Sequence, residues 1–392
     1  MTPMQARPLV VVGAGLAGWT TVREFRKLDS TTPVVVIAAD SGDFYAKPSL
    51  SNAFAQGRLP AQLISSPAAK MAETLGVTLM AHSRVQTIDA AARSVTTSAG
   101  TLAFRDLVLA TGAQPIRVPV EGDAADRVRS VNSLEDFAAL HAQLQSTTVS
   151  GSDRPVLIMG AGLIGCEFAN DLATAGFRVS VVDPGARALA ALLPEAASAE
   201  LRQALEALGV TFHFGSTVRS IRQSTVGPAL QVLLSNGQLA QADCVLSAIG
   251  LRADTGLAEA AGLNVERGIV VNRQLQTSAP HIHALGDCAQ YAHGMTLPYV
   301  MPIMTAARAL AATLAGTPTD VNFPLMPVSI KTPALPLVVA PPQPGTGGQW
   351  SAREPGIWQW LDEAGVQRGF VLSGRQTAQR MAQSKQVVLQ AG

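Results

Sequence analysis

The sequence predicts an α/β protein with two Rossmann-like dinucleotide-binding domains and a small α+β domain at its C-terminal end. Three observations carry this. Two glycine loops, Gly13-Ala14-Gly15-Leu16-Ala17-Gly18 and Gly160-Ala161-Gly162-Leu163-Ile164-Gly165, each stand between a short apolar run and a helical pattern. Further apolar runs close on Gly or Asp, as strands buried on both faces do. From about residue 321 the chain turns Pro-rich and then alternates apolar and polar residues.

The elements follow in order. Residues 8–12 read Pro-Leu-Val-Val-Val, a strand apolar on both faces. The first glycine loop follows, then a helical pattern to Leu28 and a strand over 34–38. Residues 107–110 form another buried strand, closing on Thr111-Gly112. The same grammar returns with a strand at 155–159, the second loop, a helix over 166–175 and a strand over 179–182 that ends at Asp183. Residues 244–248 close on Ile249-Gly250, and 283–285 run into Gly286-Asp287. In the Pro-rich stretch 327–344, residues 328–331 and 337–340 read as strands with edge or turn prolines. Alternation around Gly365 and Gly369 predicts mostly antiparallel strands in the tail.

Each glycine of such a loop has a job. The first makes the tight turn, the second lets backbone approach a pyrophosphate, and the third lets helix and strand pack closely. The helix N-terminus then offers N–H groups and a positive dipole end to phosphates. One loop is weak evidence, but two in the right context point to two dinucleotides. Asp183 lies 23 residues after Gly160. An acid there hydrogen-bonds a ribose 2′-OH and disfavours a 2′-phosphate, so NADH is expected over NADPH. Arg187 is close enough to soften that preference. Asp40, 27 residues after Gly13, is the matching candidate in the first unit. It also reads as a plain loop aspartate.

Composition narrows the class. At about 150 residues per domain, 392 residues make two to three domains. A chain that is 47% hydrophobic and 15% charged is not disordered. The net charge of +1 gives no global sign of nucleic-acid binding. Cys166, Cys244 and Cys288 form no CxxC, which argues against a disulfide framework, a zinc site or an iron–sulfur site. His281 and His283 lack a third ligand nearby, so no metal site is expected. No signal peptide is evident, and no apolar run approaches the ~18 residues of a membrane span. A cytoplasmic protein with reduced thiols is expected.

The two loops, Leu109-Ala-Thr-Gly-Ala113 and Ala284-Leu-Gly-Asp-Cys288 together resemble the FAD-dependent pyridine nucleotide reductases with two dinucleotide-binding domains. The resemblance implies FAD on the first loop and NADH on the second. It implies that Thr111, Gly112, Gly286 and Asp287 lie against the flavin cofactor, although Asp287 also reads as a helix cap. The disulfide reductases of this family carry a CxxxxC pair, which is absent here. Tyr45-Ala-Lys-Pro-Ser-Leu-Ser51, Gly162-Leu-Ile-Gly-Cys-Glu-Phe-Ala-Asn-Asp171, Val118-Pro-Val-Glu-Gly-Asp123, Tyr299-Val-Met-Pro302 and Lys331-Thr-Pro-Ala-Leu-Pro-Leu-Val-Val339 are similar to its rubredoxin-reducing members. That similarity spans essentially the whole chain.

Several expectations follow from the resemblance. The FAD domain would cover 1–114 and 248–320, the NAD domain 115–247, and the tail 321–392. Lys47 and Pro48 would lie against the isoalloxazine. Glu167 would border the nicotinamide, and Ile249, Gly250, Tyr299 and Val300 would line the cofactors. Ferredoxin-reducing relatives often carry a Lys after the Leu-Ser of the flavin segment, paired with the glutamate at position 167. Here Asn52 stands there. Either Lys331 or Lys47 would then supply the cation, which would stabilise reduced flavin. The activity implied is transfer from NADH through FAD, one electron at a time, to rubredoxin. Rubredoxin would in turn supply an alkane hydroxylase or an oxygen- or peroxide-reducing system. A [2Fe–2S] ferredoxin reductase and an NADH oxidase or NADH sensor are the alternatives. An acidic carrier would call for a basic docking patch. Monomer and dimer both stay open.

Overall fold

The computed structural model describes residues 7–146, 154–225 and 229–389. The chain divides into two compact units. The first comprises residues 1–46, 64–114 and 251–324; the second comprises 47–63, 115–250 and 325–392.

In the first unit, Leu9–Val12 is wholly buried and sits in the middle of a five-stranded parallel sheet. Its neighbours are Val34–Ile37 and Asp106–Leu109, in registers Leu9↔Val34 and Leu9↔Asp106. Thr78–Met80 and Ile282–Ala284 complete the two edges. The middle strand is thus the point where the winding reverses, and ligands of such sheets bind beyond the carboxyl ends of the strands there. The helix Leu16–Arg26 starts at that end. Its buried face carries Trp19, Val22 and Phe25, and the Trp19 indole N–H donates to the Gly42 carbonyl at 2.9 Å. A three-stranded antiparallel sheet, Val85–Asp89, Ser94–Thr97 and Gly100–Ala103, leads into Asp106–Leu109.

The second unit repeats the plan. Its parallel sheet runs in the order Thr211–Phe214, Arg178–Asp183, Pro155–Met159, Cys244–Ser247. Pro155–Met159 is buried at every position, and the helix Leu163–Thr174 follows it. A second antiparallel three-stranded sheet, Val218–Gln223, Leu230–Leu234 and Leu239–Ala242, precedes Cys244–Ser247. The periodicity that exposed the repeated loops does not flag these two meanders, because their strands are short and mixed.

The tail is the antiparallel sheet expected, in the order Val328–Ile330, Leu337–Ala340, Gln367–Ser373, Ile357–Leu361, Gln349–Glu354. Trp358 is buried in it, and Trp350 and Trp360 meet edge-on across two strands with ring centroids 5.3 Å apart. The helix Arg380–Gln386 is fastened to the sheet by amides. Gln383 Oε1 accepts from Gln359 Nε2 at 3.0 Å and from Gln367 Nε2 at 3.2 Å, all three side chains being buried. An unsatisfied buried donor costs about 1–3 kcal/mol. Gln383→Ala strands the Gln367 donor, while Gln359 Nε2 keeps Gln386 Oε1 at 3.2 Å, and is therefore expected to lower stability by about 1–3 kcal/mol, read as a lower urea midpoint and earlier proteolysis of the last helix.

Candidate functional site

The glycines of the first loop are placed as their roles demand. Gly13 has φ +110°, and a Cβ there would lie 2.2 Å from the Ala110 carbonyl oxygen. A Cβ on Gly18 would lie 1.9 Å from the Gly13 oxygen, so helix and loop can touch only as glycine. Beside Gly15, in contrast, a Cβ would meet no described atom within 4 Å. No side chain caps the helix that starts there, so its first-turn N–H groups have no side-chain acceptor. The cradle therefore fits a pyrophosphate.

Other residues of the first unit gather at the same carboxyl ends. Thr111 Oγ1 donates to the Asp254 carbonyl at 2.8 Å, and Gly112 (φ +76°) accepts the Asp254 N–H at 2.9 Å. Gly286 has φ +83°, and a Cβ there would lie 3.0 Å from Ala17 Cβ. That brings the Gly286-Asp287 turn against the loop helix. The buried Tyr291 phenol accepts the Gly286 N–H at 3.1 Å. Asp40 is exposed and accepts the Gly42 N–H at 2.9 Å. Half-buried Tyr299 precedes the helix Val300–Leu314, with Val300 41% exposed at its start.

The second loop repeats this geometry. Gly160 has φ +103°, with the Ala248 oxygen 2.6 Å from a would-be Cβ. The Gly160 oxygen blocks a Cβ on Gly165 at 2.0 Å, and Gly162 opens onto space. Leu163 and Ile164 begin a helix that no side chain caps. Gly250 (φ +110°), after Ile249, accepts the Ile116 N–H at 3.0 Å. Asp183 ends its strand with Oδ2 accepting the Ala161 N–H at 2.7 Å and Oδ1 the Gly185 N–H at 2.6 Å. Each carboxylate oxygen keeps a further lone pair for a ribose hydroxyl. Arg187 is turned away to the Leu193 carbonyl, at 2.7 Å.

The strongest electrostatic feature lies on the Leu163–Thr174 helix. Glu167 is 2% exposed, and its Oε2 accepts from Lys331 Nζ at 2.6 Å and from Ser51 Oγ at 2.6 Å. Its Oε1 accepts the Lys331 backbone N–H at 3.0 Å. Lys331 Nζ also donates to Ser51 Oγ at 2.7 Å and to the Pro48 carbonyl. Of the two candidate cations, Lys331 thus sits on Glu167, while exposed Lys47 donates to Asn132 Oδ1 at 3.1 Å. Ser51 completes the cluster beside Asn52.

Two further polar side chains of this helix escaped the sequence reading. Asn170 Oδ1 accepts the Ala334 N–H at 3.0 Å. Asp171 accepts the Phe54 N–H at 3.0 Å and the Ala55 N–H at 2.8 Å. Burial pushes the Asp171 carboxyl above the usual carboxylate range, against the pull of the Ala55 and Phe54 N–H groups. The available signal is three polar residues at i, i+3 and i+4 in an otherwise apolar helix.

The thiols stand apart from this chemistry. Cys166, Cys244 and Cys288 are free and buried. Burial raises all three, Cys166 and Cys244 to about 12. A thiol reagent at neutral pH is expected to leave native protein untouched and to react with three thiols only after denaturation. Fast reaction of a native thiol would overturn this. Among the described residues, no helix is long and apolar enough to cross a membrane.

Comparison with known proteins agrees with this architecture. The profile of the pyridine nucleotide-disulphide oxidoreductases matches residues 7–312, and that of the rubredoxin binding C-terminal domain matches residues 320–387. A rubredoxin-NAD(+) reductase of Alcanivorax borkumensis is 44% identical over 97% of this chain and 98% of its own. A nitric oxide reductase FlRd-NAD(+) reductase of Aeromonas salmonicida is 41% identical over 95% of this chain and 94% of its own. The crystal structure of a covalent putidaredoxin reductase–putidaredoxin complex superposes with TM-score 0.86 at 25% identity, covering 97% of this chain and 93% of that one. With profile and relatives matching over nearly its whole length, this chain belongs to the pyridine nucleotide-disulphide oxidoreductase family.

Proposed function

We propose that the protein is an FAD-dependent reductase that passes electrons from NADH to rubredoxin. The observation that carries this reading is one chain combining two dinucleotide cradles with a tail that matches the rubredoxin binding domain. The chemistry that a bound FAD would supply is acceptance of a hydride from NADH and release of electrons singly.

The protein's own part is binding and electrostatics. In the first unit, Gly13, Ala14, Gly15, Leu16, Ala17 and Gly18 would take the FAD pyrophosphate, with Thr111, Gly112, Gly286, Asp287, Tyr299 and Val300 along the cofactor. Asp40 is the weaker candidate, because it is exposed. In the second unit, Gly160, Gly162, Leu163, Ile164 and Gly165 would take the NADH pyrophosphate, with Ile249 and Gly250 alongside. Asp183 would take the ribose hydroxyls. Lys331 holds the positive charge that favours reduced flavin, and Glu167 and Ser51 fix its ammonium. Lys47 and Pro48 flank the same segment. The domains follow as FAD (1–114, 248–320), NAD (115–247) and a tail for the carrier (321–392).

Disulfide exchange has no support from the thiols, which are separate, buried and protonated. The carrier's charge suits the tail's end. Residues 364–392 contain Arg375, Arg380 and Lys385 and no acid, while Arg368 is paired with Asp362 at 2.7 Å. The downstream acceptor in this reading is an alkane hydroxylase or an oxygen- or peroxide-reducing system, reached from the cytoplasm.

The test is anaerobic. Purified flavin-loaded protein is mixed with NADH and oxidised rubredoxin, with a [2Fe–2S] ferredoxin in parallel. Fast bleaching of rubredoxin, slower ferredoxin reduction and a rubredoxin rate that falls with added salt are expected. Flavin reduced by NADH with neither carrier reduced would remove the partner assignment in favour of an oxidase or sensor. Salt-insensitive bleaching would remove the steering role of the basic tail.

A further inference from the structure

The Leu163–Thr174 helix does more than begin at a nucleotide loop. Glu167, Asn170 and Asp171 are each 2% exposed, and at i, i+3 and i+4 they share one helix face. Each holds a piece of chain far away in sequence. Glu167 holds the side chain of Ser51 and both the backbone and the side chain of Lys331. Three residues on in the tail, the Ala334 N–H is held by Asn170. Three and four residues after Ser51, the Phe54 and Ala55 N–H groups are held by Asp171.

Those outer bonds go to the backbone of the two segments that carry Ser51 and Lys331. What they fix is where Ser51 and Lys331 stand. Both side chains converge on one oxygen, Glu167 Oε2, and both their segments are pinned a turn further along the same helix. Phe54 is fixed from its ring side as well, with centroids 5.2 Å from Phe137 and 5.6 Å from His141. The Lys331 charge also acts on Asp171 and favours its ionised form. Its carboxylate is spent on backbone N–H groups, an arrangement that orders a loop.

We propose that Asn170 and Asp171 are positioning residues that clamp the 51–55 and 331–334 segments, and that this clamp sets the Ser51–Glu167–Lys331 geometry needed for flavin reduction. The proposal rests on the reading that this cluster serves the flavin. It makes the nucleotide-loop helix the common frame for both segments. Substitutions at Asn170 or Asp171 then act on the reduction rate through Lys331, without loss of the NADH cradle at Gly160–Gly165, which lies at the other end of the helix.

Two measurements test it on intact holoenzyme. Amide hydrogen exchange is followed on peptides covering 51–56 and 329–335 in wild type, Asp171→Asn and Asn170→Ala. The expected result is at least tenfold faster exchange at 51–56 for Asp171→Asn and at 329–335 for Asn170→Ala. Unchanged exchange in both would overturn the clamp. Anaerobic stopped flow should then show flavin reduction by NADH slowed at least fivefold, with the NADH dissociation constant changed less than threefold. Faster exchange with a wild-type reduction rate would overturn the positioning role. An Asp171→Glu variant should recover part of both readouts; no recovery, with flavin and NADH affinity lost together, would mean a purely structural role and also overturn it. Lys331→Met separates the two readings. If it leaves reduction unchanged, the flavin role of the cluster falls even where the exchange results stand.

Discussion

Lys331→Met is expected to slow flavin reduction by NADH by roughly 100-fold, the scale seen when one preorganised donor is lost from a reacting centre. The physical reason is the cluster's asymmetry. Glu167 keeps only 3% of its side chain exposed and Lys331 28%, so the carboxylate depends on this ammonium. Methionine fills similar space but leaves the charge buried, with only the Ser51 hydroxyl and one backbone N–H. Breaking a buried pair costs about 3–5 kcal/mol, and the partial exposure of Lys331 places this one near the lower end. Urea unfolding should therefore show a lower midpoint together with the slower stopped-flow reduction. Glu167→Gln should cost less stability, because it leaves no buried anion, and should raise the flavin midpoint potential rather than lower it, because the Lys331 charge is then no longer neutralised. An unchanged reduction rate and an unchanged potential in Lys331→Met would remove Lys331 from the mechanism.

The second large effect contrasts glycines within one loop. Gly18→Ala places a methyl group 1.9 Å from the Gly13 carbonyl oxygen, a backbone atom that cannot step aside. Overpacking commonly costs 1–3 kcal/mol, and a collision with backbone belongs at about 3 kcal/mol or more. Protein with this change should be purified without flavin and with a disturbed first unit. Gly15→Ala meets no described atom within 4 Å and needs no positive φ. It should fold normally and lose flavin on gel filtration, because its methyl group takes the space meant for the pyrophosphate. Gly165→Ala, with 2.0 Å to the Gly160 oxygen, should instead keep flavin and lose reduction by NADH. Equal flavin content in Gly15→Ala and wild type would show that the cradle is not where FAD binds.

The two loops were legible because their chemistry is local. Turn, approach and packing are each carried by one glycine within six residues, and the strand before each loop is buried at every position. The antiparallel tail was legible from alternation and turns. Lys331 and Lys47 were not separable in the sequence, because the choice depends on a contact 164 residues apart. Asn170 and Asp171 were missed for the same reason, since their partners are backbone groups, which leave no mark on residue type. The 47–63 segment belongs with the second unit although the chain on either side of it belongs to the first. No composition change at Ala46 or Leu63 announces that.

That threading has a consequence for how the protein is made. Chains emerge from the ribosome N-terminus first, at roughly 5–20 residues per second, and domains tend to fold as they appear. Here neither unit is contiguous. The first sheet lacks its edge strand until Ala284 has been synthesised, and Glu167 has no counter-charge until Lys331 has. For the intervening time the nascent chain carries an uncompensated carboxylate on a helix otherwise built for burial. Closure of such distant contacts is slow, so translation must pass residue 324 before the first unit can lock and run almost to its end before the second can. A ribosome stalled near residue 320 should hold a second unit that is protease-sensitive, and release of the last seventy or so residues should complete it.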